Sequence, residues 1–536
     1  MDANLTRKRF ERLFTDRTTA QEEWDLIRRF VYPIGGGKFW EDQRSEHSMN
    51  WREREVFDDT AITGCDTLAS SIHSAMTPTS SRWFDAGFRN EDLKKDQDAS
   101  DWLQKCMETV WNTIQESNFD LEVGETYLDL VAFGNAVLIE EETSSLTWKG
   151  VHFKSAPLKE CYFELDHRGD VSRFYRLLTM TPHEMVTKFG KDTPDDIAQR
   201  AEQADTTRVE VIFCIYPNDD APEPDGRPTA PDKRPYEFHY LRRDGGEYIG
   251  KGGGYYEMPV FFPRWRRATG SIWGYGPAHL ALPTVLTVNQ LKYLILANAE
   301  KVIDPVTMVT ERGVIGDVDL EAGGINVVKD VANSMAPYQS AARFDVSQLE
   351  VDKLQQSIRN LFRMNQLELQ QGPQMTATEV EVRYELMHRL LGPTQGRIKT
   401  DLLDKVVERT FNMLFRAGKL PPPPESVAAA NDGAVDISYL GPLARAQKMD
   451  KVNNVNRWLA TIAEMSNFFP DIGKVPRAAQ LAQYTAREMS IPADLVRTDE
   501  EVDYIKQLER QVEVMAQQME EMQGAIQQGQ NQQQAQ

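Results

Sequence analysis

The chain has 536 residues, with 82 acidic side chains against 61 basic ones and a net charge of −21. That length exceeds what one hydrophobic core serves, so several domains are expected. The acidic balance excludes a protein whose whole surface grips nucleic acid, which would be basic or carry a basic patch; keeping the protein soluble is the simplest use of such charge.

Hydrophobic residues make up 40% of the chain, enough to fold. No uninterrupted apolar run reaches the roughly 18 residues of a membrane span. The opening Met1-Asp-Ala-Asn-Leu-Thr-Arg-Lys-Arg9 has no apolar signal core, so the chain is expected to be soluble and intracellular when made. Cys65, Cys106, Cys161 and Cys214 lack the spacing of a zinc site and read as reduced, partly buried thiols.

In chain order, residues 4–30 predict a helix, with Leu5, Phe10, Leu13, Trp24, Ile27 and Phe30 among charged positions. Helices are also predicted over 56–76, 97–117 and 122–133, the first stopped at Pro78. Phe133-Gly-Asn then reads as a turn into a strand. From about 136 to 266 the pattern is β-rich. Tyr162–Val171 reads as a hairpin turning at Gly169. Val209, Val211, Phe213 and Ile215 alternate, which predicts one face on a core. Pro217–Pro235 is expected to be an exposed loop, and Tyr236–Leu241 and Pro259–Arg266 further strands.

Gly270-Ser-Ile-Trp-Gly-Tyr-Gly-Pro277 precedes a long apolar helix running to about Ile303, with Pro283 placed in its first turn. Leu286, Leu291, Leu294, Ile295 and Val302 supply its apolar face. Residues 305–342 are mixed, with Val306, Met308 and Thr310 on one face of a short strand. Ser347-x-x-Glu350 fits a capping box for the next helix, where Val351, Leu354, Ile358 and Leu361 form a packed seam and Gln356, Arg359, Asn360 and Arg363 a polar face. Asn365–Met375 is a polar break containing Gly372-Pro373. Thr376-x-x-Glu379 then opens a helix to about Ala417, with a kink expected at Gly392-Pro393. Pro421–Pro424 reads as a rigid linker, Val435, Ile437 and Tyr439 as a strand, and 441–490 as helices. Ile505, Leu508, Val512, Met515, Met519, Met522 and Ile526 keep a coiled-coil spacing, ahead of a low-complexity glutamine tail. That seam suits contact with other copies or packing on the chain's own preceding helices.

No catalytic constellation emerges. Gly35-Gly-Gly-Lys38 is followed by Phe39, where a phosphate loop needs Ser or Thr. His183-Glu184 has Thr at 187, where a zinc helix needs a second histidine, and reads as a helix start. Asp58-Asp59 and Glu140-Glu141-Glu142 read as solvated edges. Arg264, Arg266 and Arg267 around Trp265 suit either single-stranded nucleic acid or acidic residues of a neighbouring subunit. No metal site and no cofactor is expected.

The order of the Gly270–Pro277 segment, two periodic helices around a β-like insert, and the Gly372-Pro-Gln-Met-Thr-Ala-Thr-Glu-Val380 helix start resembles the portal (head-to-tail connector) proteins of short-tailed bacteriophages. The resemblance runs from about Asp2 to at least Arg487 and is strongest between Glu257 and Leu391. It implies an α+β, mainly α portal fold of wing, stem, clip and crown, assembling as a ring. The implied divisions are 1–276 for the N-terminal helices and β-rich wing, 277–304 for the first stem helix, 305–342 for the clip, 343–364 for the second stem helix and 365–376 for the tunnel loop. Residues 377–440 would be a long kinked wing helix and strand, 441–498 the crown helices, and 499–536 a coiled-coil helix with a disordered tail. The resemblance also implies a non-enzymatic, dodecameric ring at one capsid vertex of the virion, assembled in the host cytoplasm, with no membrane partner. Its partners would be double-stranded DNA passing through without sequence preference, the terminase large subunit, capsid and scaffolding proteins, and later tail adaptors. An acidic channel suits sliding DNA, with basic bands at only a few levels. Within this frame Arg359, Arg363, Gln356, Gln370, Gln371 and Gln374 become candidates to face the DNA, and Leu291, Leu294, Val351, Leu354, Ile358 and Leu361 candidates for the subunit interface. The alternatives are a phage nuclease or ATPase, or a helical adaptor with no DNA role.

Overall fold

The computed structural model describes residues 2–33, 56–143, 148–221, 230–303, 307–309, 335–337, 344–367, 392–429, 435–439, 442–466, 475–488 and parts of 502–519, apart from single residues or pairs within these stretches. It is mainly helical with small antiparallel sheets. The chain divides into two compact units, residues 1–94 with 102–439 and residues 95–101 with 440–536.

The first unit opens with α1 (Ala3–Asp16) and α2 (Thr18–Phe30), two helices where the periodicity predicted one. The break falls at Arg17, which is 3% exposed. Its guanidinium donates to the carbonyls of Leu158 and Cys161 at 3.2 and 3.1 Å and lies 3.9 Å over the Tyr162 ring. A buried guanidinium must find acceptors, and here they lie on a distant segment that no local pattern reveals. α3 (Thr60–Met76), α4 (Gln97–Glu116) and α5 (Phe119–Phe133) follow. Gly134 ends α5 in the left-handed conformation at φ +66°, one that glycine adopts without steric cost.

Three strands, β1 (Phe84–Phe88), β2 (Leu138–Glu142) and β3 (Val151–Ser155), precede a five-stranded meander of β4 (Cys161–Leu165), β5 (Val171–Met180), β6 (Val209–Pro217), β7 (Tyr236–Arg242) and β8 (Tyr248–Tyr255). The β4–β5 hairpin turns at Gly169 with φ +89°, as its sequence predicts. β6 departs from the expected one-sided burial. Val209 and Val211 pack with Met185 and Ile197 of two short helices, α6 (Pro182–Phe189) and α7 (Asp195–Glu202). Ile212, Cys214 and Tyr216 on the opposite face pack with Phe10 of α1. Both faces are covered, and near-continuous apolar sequence is the signature of that burial. Thr181 caps α6 with Glu184 in a reciprocal capping box, so His183-Glu184 is the helix start it was read as.

The expected strand over Pro259–Arg266 is confined to β9 (Val260–Phe261), which pairs with β2, and one isolated bridge between Arg264 and Asn135. α8 (Pro277–Ile303), β10 (Thr307–Val309), β11 (Met335–Pro337) and α9 (Phe344–Leu361) come next. Thr307 lies opposite Pro337 in an antiparallel pair, so the chain leaving α8 and the chain entering α9 adjoin. Pro277, not Pro283, opens α8; Pro283 lies inside it and leaves the His279 carbonyl without its helical donor. Ser347 lies within α9, so it does not cap that helix. The chain is helical again from 394, passes through a π-turn at Lys399–Leu403 and continues as α10 (Asp404–Arg416). After Pro421–Pro424 comes one unpredicted helical turn, Glu425–Ala429, and then β12 (Val435–Tyr439), which pairs with β1. In the second unit α11 (Pro442–Ser466) and α12 (Ala478–Glu488) are the two long helices among the described residues. Leu508, Val512, Met515 and Met519 of the C-terminal seam are exposed, as is Tyr504 just before it. Gly35–Lys38, the Thr376 capping box and the last ten residues lie outside the described residues. All four cysteines are buried and free.

Glu140 corrects the reading of 140–142 as a solvated edge, since it is fully buried. Thr410 donates to its Oε1 at 2.6 Å, and Arg409 Nε stands 3.7 Å from Oε2, which accepts no hydrogen bond among the described residues. Arg409 also donates to the Glu257 carbonyl at 2.7 Å, so α10 is fastened to both β2 and the turn before β9. Burial pushes the Glu140 carboxyl up to about 8, against the pull of Arg409 and Thr410. The group is therefore neutral in the fold where it would be ionised in the unfolded chain. It costs nothing in acid and costs stability progressively as pH rises from about 4 through 8. Glu140→Gln keeps an acceptor for Thr410 and removes the titration. Its stability relative to wild type is expected to improve steadily from pH 5 to 8 in urea unfolding. A pH-independent difference would contradict this account.

Candidate functional site: the root of the long helix pair

The Gly270–Pro277 segment is a packed joint. Asn135, fully buried, accepts from the Gly274 amide at 2.7 Å and donates to the Gly274 carbonyl at 3.1 Å. Any Cβ at Gly134, Gly274 or Gly276 would collide with backbone of the facing segment, so the glycines allow two loops to touch. Trp273 meets Trp24 edge-on at 4.8 Å and also contacts Phe262 and Phe163. His279 accepts from the Gly276 amide at 3.2 Å, and its burial pushes its pKa down to about 4. The imidazole is thus neutral at pH 7, as that acceptor role requires. The joint fixes where α8 leaves the body.

A second set of contacts ties both long helices to α3. Asp58 at the start of α3 is 4% exposed, which overturns its reading as a solvated edge. Its Oδ2 receives Lys292 Nζ of α8 at 2.7 Å and Gln355 Nε2 of α9 at 2.6 Å, while Oδ1 accepts from the Thr60 amide at 3.0 Å. Beside it the Phe57 amide donates to Asn289 of α8 at 2.7 Å. Burial opposes ionisation of Asp58, but the bonds from Lys292, Gln355 and Thr60 outweigh it and hold the carboxyl below the usual carboxylate range. Phe362, fully buried just after α9, seats against Gly64 of α3, where even a methyl group would be tight. Asn289, Lys292 and Gln355 were not singled out from sequence, and Asp58 was read only as a solvated edge. The available signal was Asn289 and Lys292, three residues apart on a mostly apolar helix.

The candidate interface residues divide by burial. Val351 and Ile358 are buried within the single chain, where α9 packs on α8 and α3. Leu291, Leu354 and Leu361 are half-buried, and Leu294 is 51% exposed beside exposed Tyr293 and Leu296. α8 also departs from the composition-based reading of membrane spans. Its stretch Pro277–Glu300 is long and apolar enough to cross one, with only 22% of that window buried. Counting uninterrupted runs missed it because Thr, Asn and Gln interrupt the stretch without charging it.

Of the candidate DNA-facing residues, Gln356 and Arg359 lie on the exposed side of α9. Arg363 does not continue that face. The helix ends at Leu361, and Arg363 takes a left-handed conformation at φ +58° that side chains seldom adopt. Burial and nearby Arg266 push its pKa down. Gln370, Gln371 and Gln374 lie outside the described residues. In the 264–267 cluster, Arg264 and Trp265 are buried, so no open aromatic platform exists there for stacking bases. Burial pushes the Arg264 pKa down, against the pull of Asp401 and Asp170. No group of three or more His, Cys, Asp or Glu side chains able to hold a metal occurs among the described residues.

A chain with two long helices anchored side by side on a mixed α+β body, and with apolar surface left open on one of them, has the form of a structural, assembling protein. Residues 3–496 match the family model described as bacteriophage head to tail connecting protein, and the chain belongs to that family. It is thereby a structural connector and not an enzyme. Among similar proteins, the "Probable portal protein" of Bordetella phage BPP-1 is 25% identical over 532 residues, covering 96% of this chain and 93% of that relative. The "Portal protein" of Salmonella phage epsilon15 is 22% identical over 480 residues, covering 87% of this chain and 83% of that relative.

Proposed function

We propose that this chain is the portal subunit of a short-tailed phage, forming a dodecameric ring at one capsid vertex through which the genome is packaged and ejected. The observation that carries the reading is family membership over nearly the whole chain, joined to exposed apolar surface on α8 at Tyr293, Leu294 and Leu296. A neighbouring copy would cover that surface. In this reading α8 and α9 are the stem, β10 and β11 belong to the clip, residues 1–276 with the meander and 377–440 make the wing, 441–498 are the crown helices, and 499–536 a coiled-coil helix and tail. Terminase would dock on the ring first and tail adaptors after it. The Asp58 contacts would hold both stem helices at one angle to the body, which repetition round a ring demands.

The DNA wall would include Gln356 and Arg359, with Arg363 just beyond the end of α9 at its edge and the tunnel loop at 365–376 following in the chain. Contacts of this kind reach phosphates, carry no sequence preference and weaken with salt. Two experiments test the proposal. Negatively stained purified protein is expected to show rings with a central hole; uniform monomers or filaments would overturn the ring. Arg359→Gln with Arg363→Gln is expected to leave rings intact and lower the yield of filled, genome-retaining particles severalfold. Normal packaging and retention would remove these arginines from the channel wall.

A further inference from the structure

At the tip of the β4–β5 hairpin, a group of cations holds hydrogen-bond donors that the protein does not use. Arg264 is 4% exposed. Its Nη2 donates to the Gly169 carbonyl at 2.9 Å, but its Nε and Nη1 are buried without an acceptor among the described residues. Arg397, on the helical segment facing it, likewise has a buried Nη1 with no acceptor among the described residues. The Arg267 guanidinium lies directly against Gly169, where any Cβ would collide with it. Lys405 completes the group but is engaged at 2.8 Å by Asp170. Asp170 and Asp401 are the carboxylates that act most strongly on Arg264, opposed by Arg267 and Arg397. Four cations therefore gather round these two, while Asp166 of the same turn is held by the Arg168 and Asp170 amides.

Folded proteins seldom leave a buried guanidinium half-satisfied, because the desolvated donors regain nothing in exchange for water. An excess of positive charge beside them compounds the cost. Both deficits have one remedy, a small oxyanion with several acceptor oxygens and more than one negative charge. Arginine's donors suit such a group, and here Arg264 offers Nε and Nη1 and Arg397 offers Nη1. A phosphate embedded in duplex DNA is ruled out as the occupant, since bulky backbone cannot approach a side chain so deeply covered. We propose that Arg264, Arg267 and Arg397 form a binding site for a free oxyanion of the phosphate class, which locks the hairpin tip to the helical segment before α10. This inference does not depend on the portal reading.

The test is titration of the full-length protein with inorganic phosphate at constant ionic strength, using chloride as the balancing ion, followed by calorimetry. One saturable site per chain is expected, weakened about tenfold or more in Arg397→Gln, the loss typical of one charge-assisted hydrogen bond. Arg267→Gln, at an exposed position, carries the same expectation should Arg397→Gln fail to fold. General salting effects of phosphate would stabilise wild type and variants alike, so only the difference between them counts. No saturable binding above the chloride control would overturn the proposal, as would equal affinity in wild type and the folded variants. Loss of self-association in Arg397→Gln without any phosphate binding would also overturn it, and would give these donors to a carboxylate of a second copy.

Discussion

Asp58→Ala is expected to loosen both long helices at once. The substitution leaves Lys292, whose side chain is 29% exposed, and Gln355 without their shared acceptor. Breaking a fully buried ion pair costs about 3–5 kcal/mol. Lys292 can swing toward water, which lowers the expectation to about 2–4 kcal/mol, read as a drop in the urea midpoint. Asp58→Asn keeps one acceptor oxygen, for either the Thr60 amide or the Lys292–Gln355 side but not both, and should fall between. The sign of the pH dependence follows from the depressed carboxyl. Its stabilisation is complete above the ordinary carboxylate value of about 4 and disappears as pH falls through the folded value below it. The gap between wild type and Asp58→Ala should therefore be wide at pH 7 and close only in strong acid. A double-mutant cycle with Lys292→Ala that returned additive effects would show that the pair is not coupled. If the angle of the stem is what the contact protects, Asp58→Asn should also yield rings of irregular diameter.

Leu294→Asp and Ile358→Asp should fail in opposite ways. Leu294 is 51% exposed in the single chain, so a carboxylate there costs the subunit little, within about 0.5 kcal/mol for an exposed site. In a ring where that surface is covered, the same charge would be buried unpaired at a cost of several kcal/mol for each contact. Folded monomers with normal far-UV circular dichroism are the expected product on a sizing column. Ile358 is fully buried in the subunit itself. Its replacement by Asp should abolish folding before assembly is reached, giving aggregate or protease-sensitive chain. Normal rings from Leu294→Asp would remove α8 from the interface. A folded monomer from Ile358→Asp would mean that this side chain serves contacts between subunits after all.

Much of the helical framework was legible because local periodicity is a local property. α3, α4, α8 and α9 declare themselves by apolar spacing, and the turns at Gly134 and Gly169 by the one residue that enters left-handed backbone without penalty. The Gly270–Pro277 segment and the ordered helices around a β insert were enough to suggest the family, to which the chain belongs. What periodicity could not reveal is which side chains from distant segments meet. Asp58 and Glu140 sit in acidic runs that look hydrated, yet the fold brings Lys292 and Gln355 to one and Thr410 and Arg409 to the other. Arg17 breaks a continuous amphipathic pattern because its acceptors lie on β4 and just before it. The Val351–Ile358 seam reads the same whether its partner is another subunit or the neighbouring helix. The sequence by itself determined the elements and the family. Only the tertiary structure decided which charges are buried and paired, because desolvation depends on everything packed around a group and not on its neighbours in the chain.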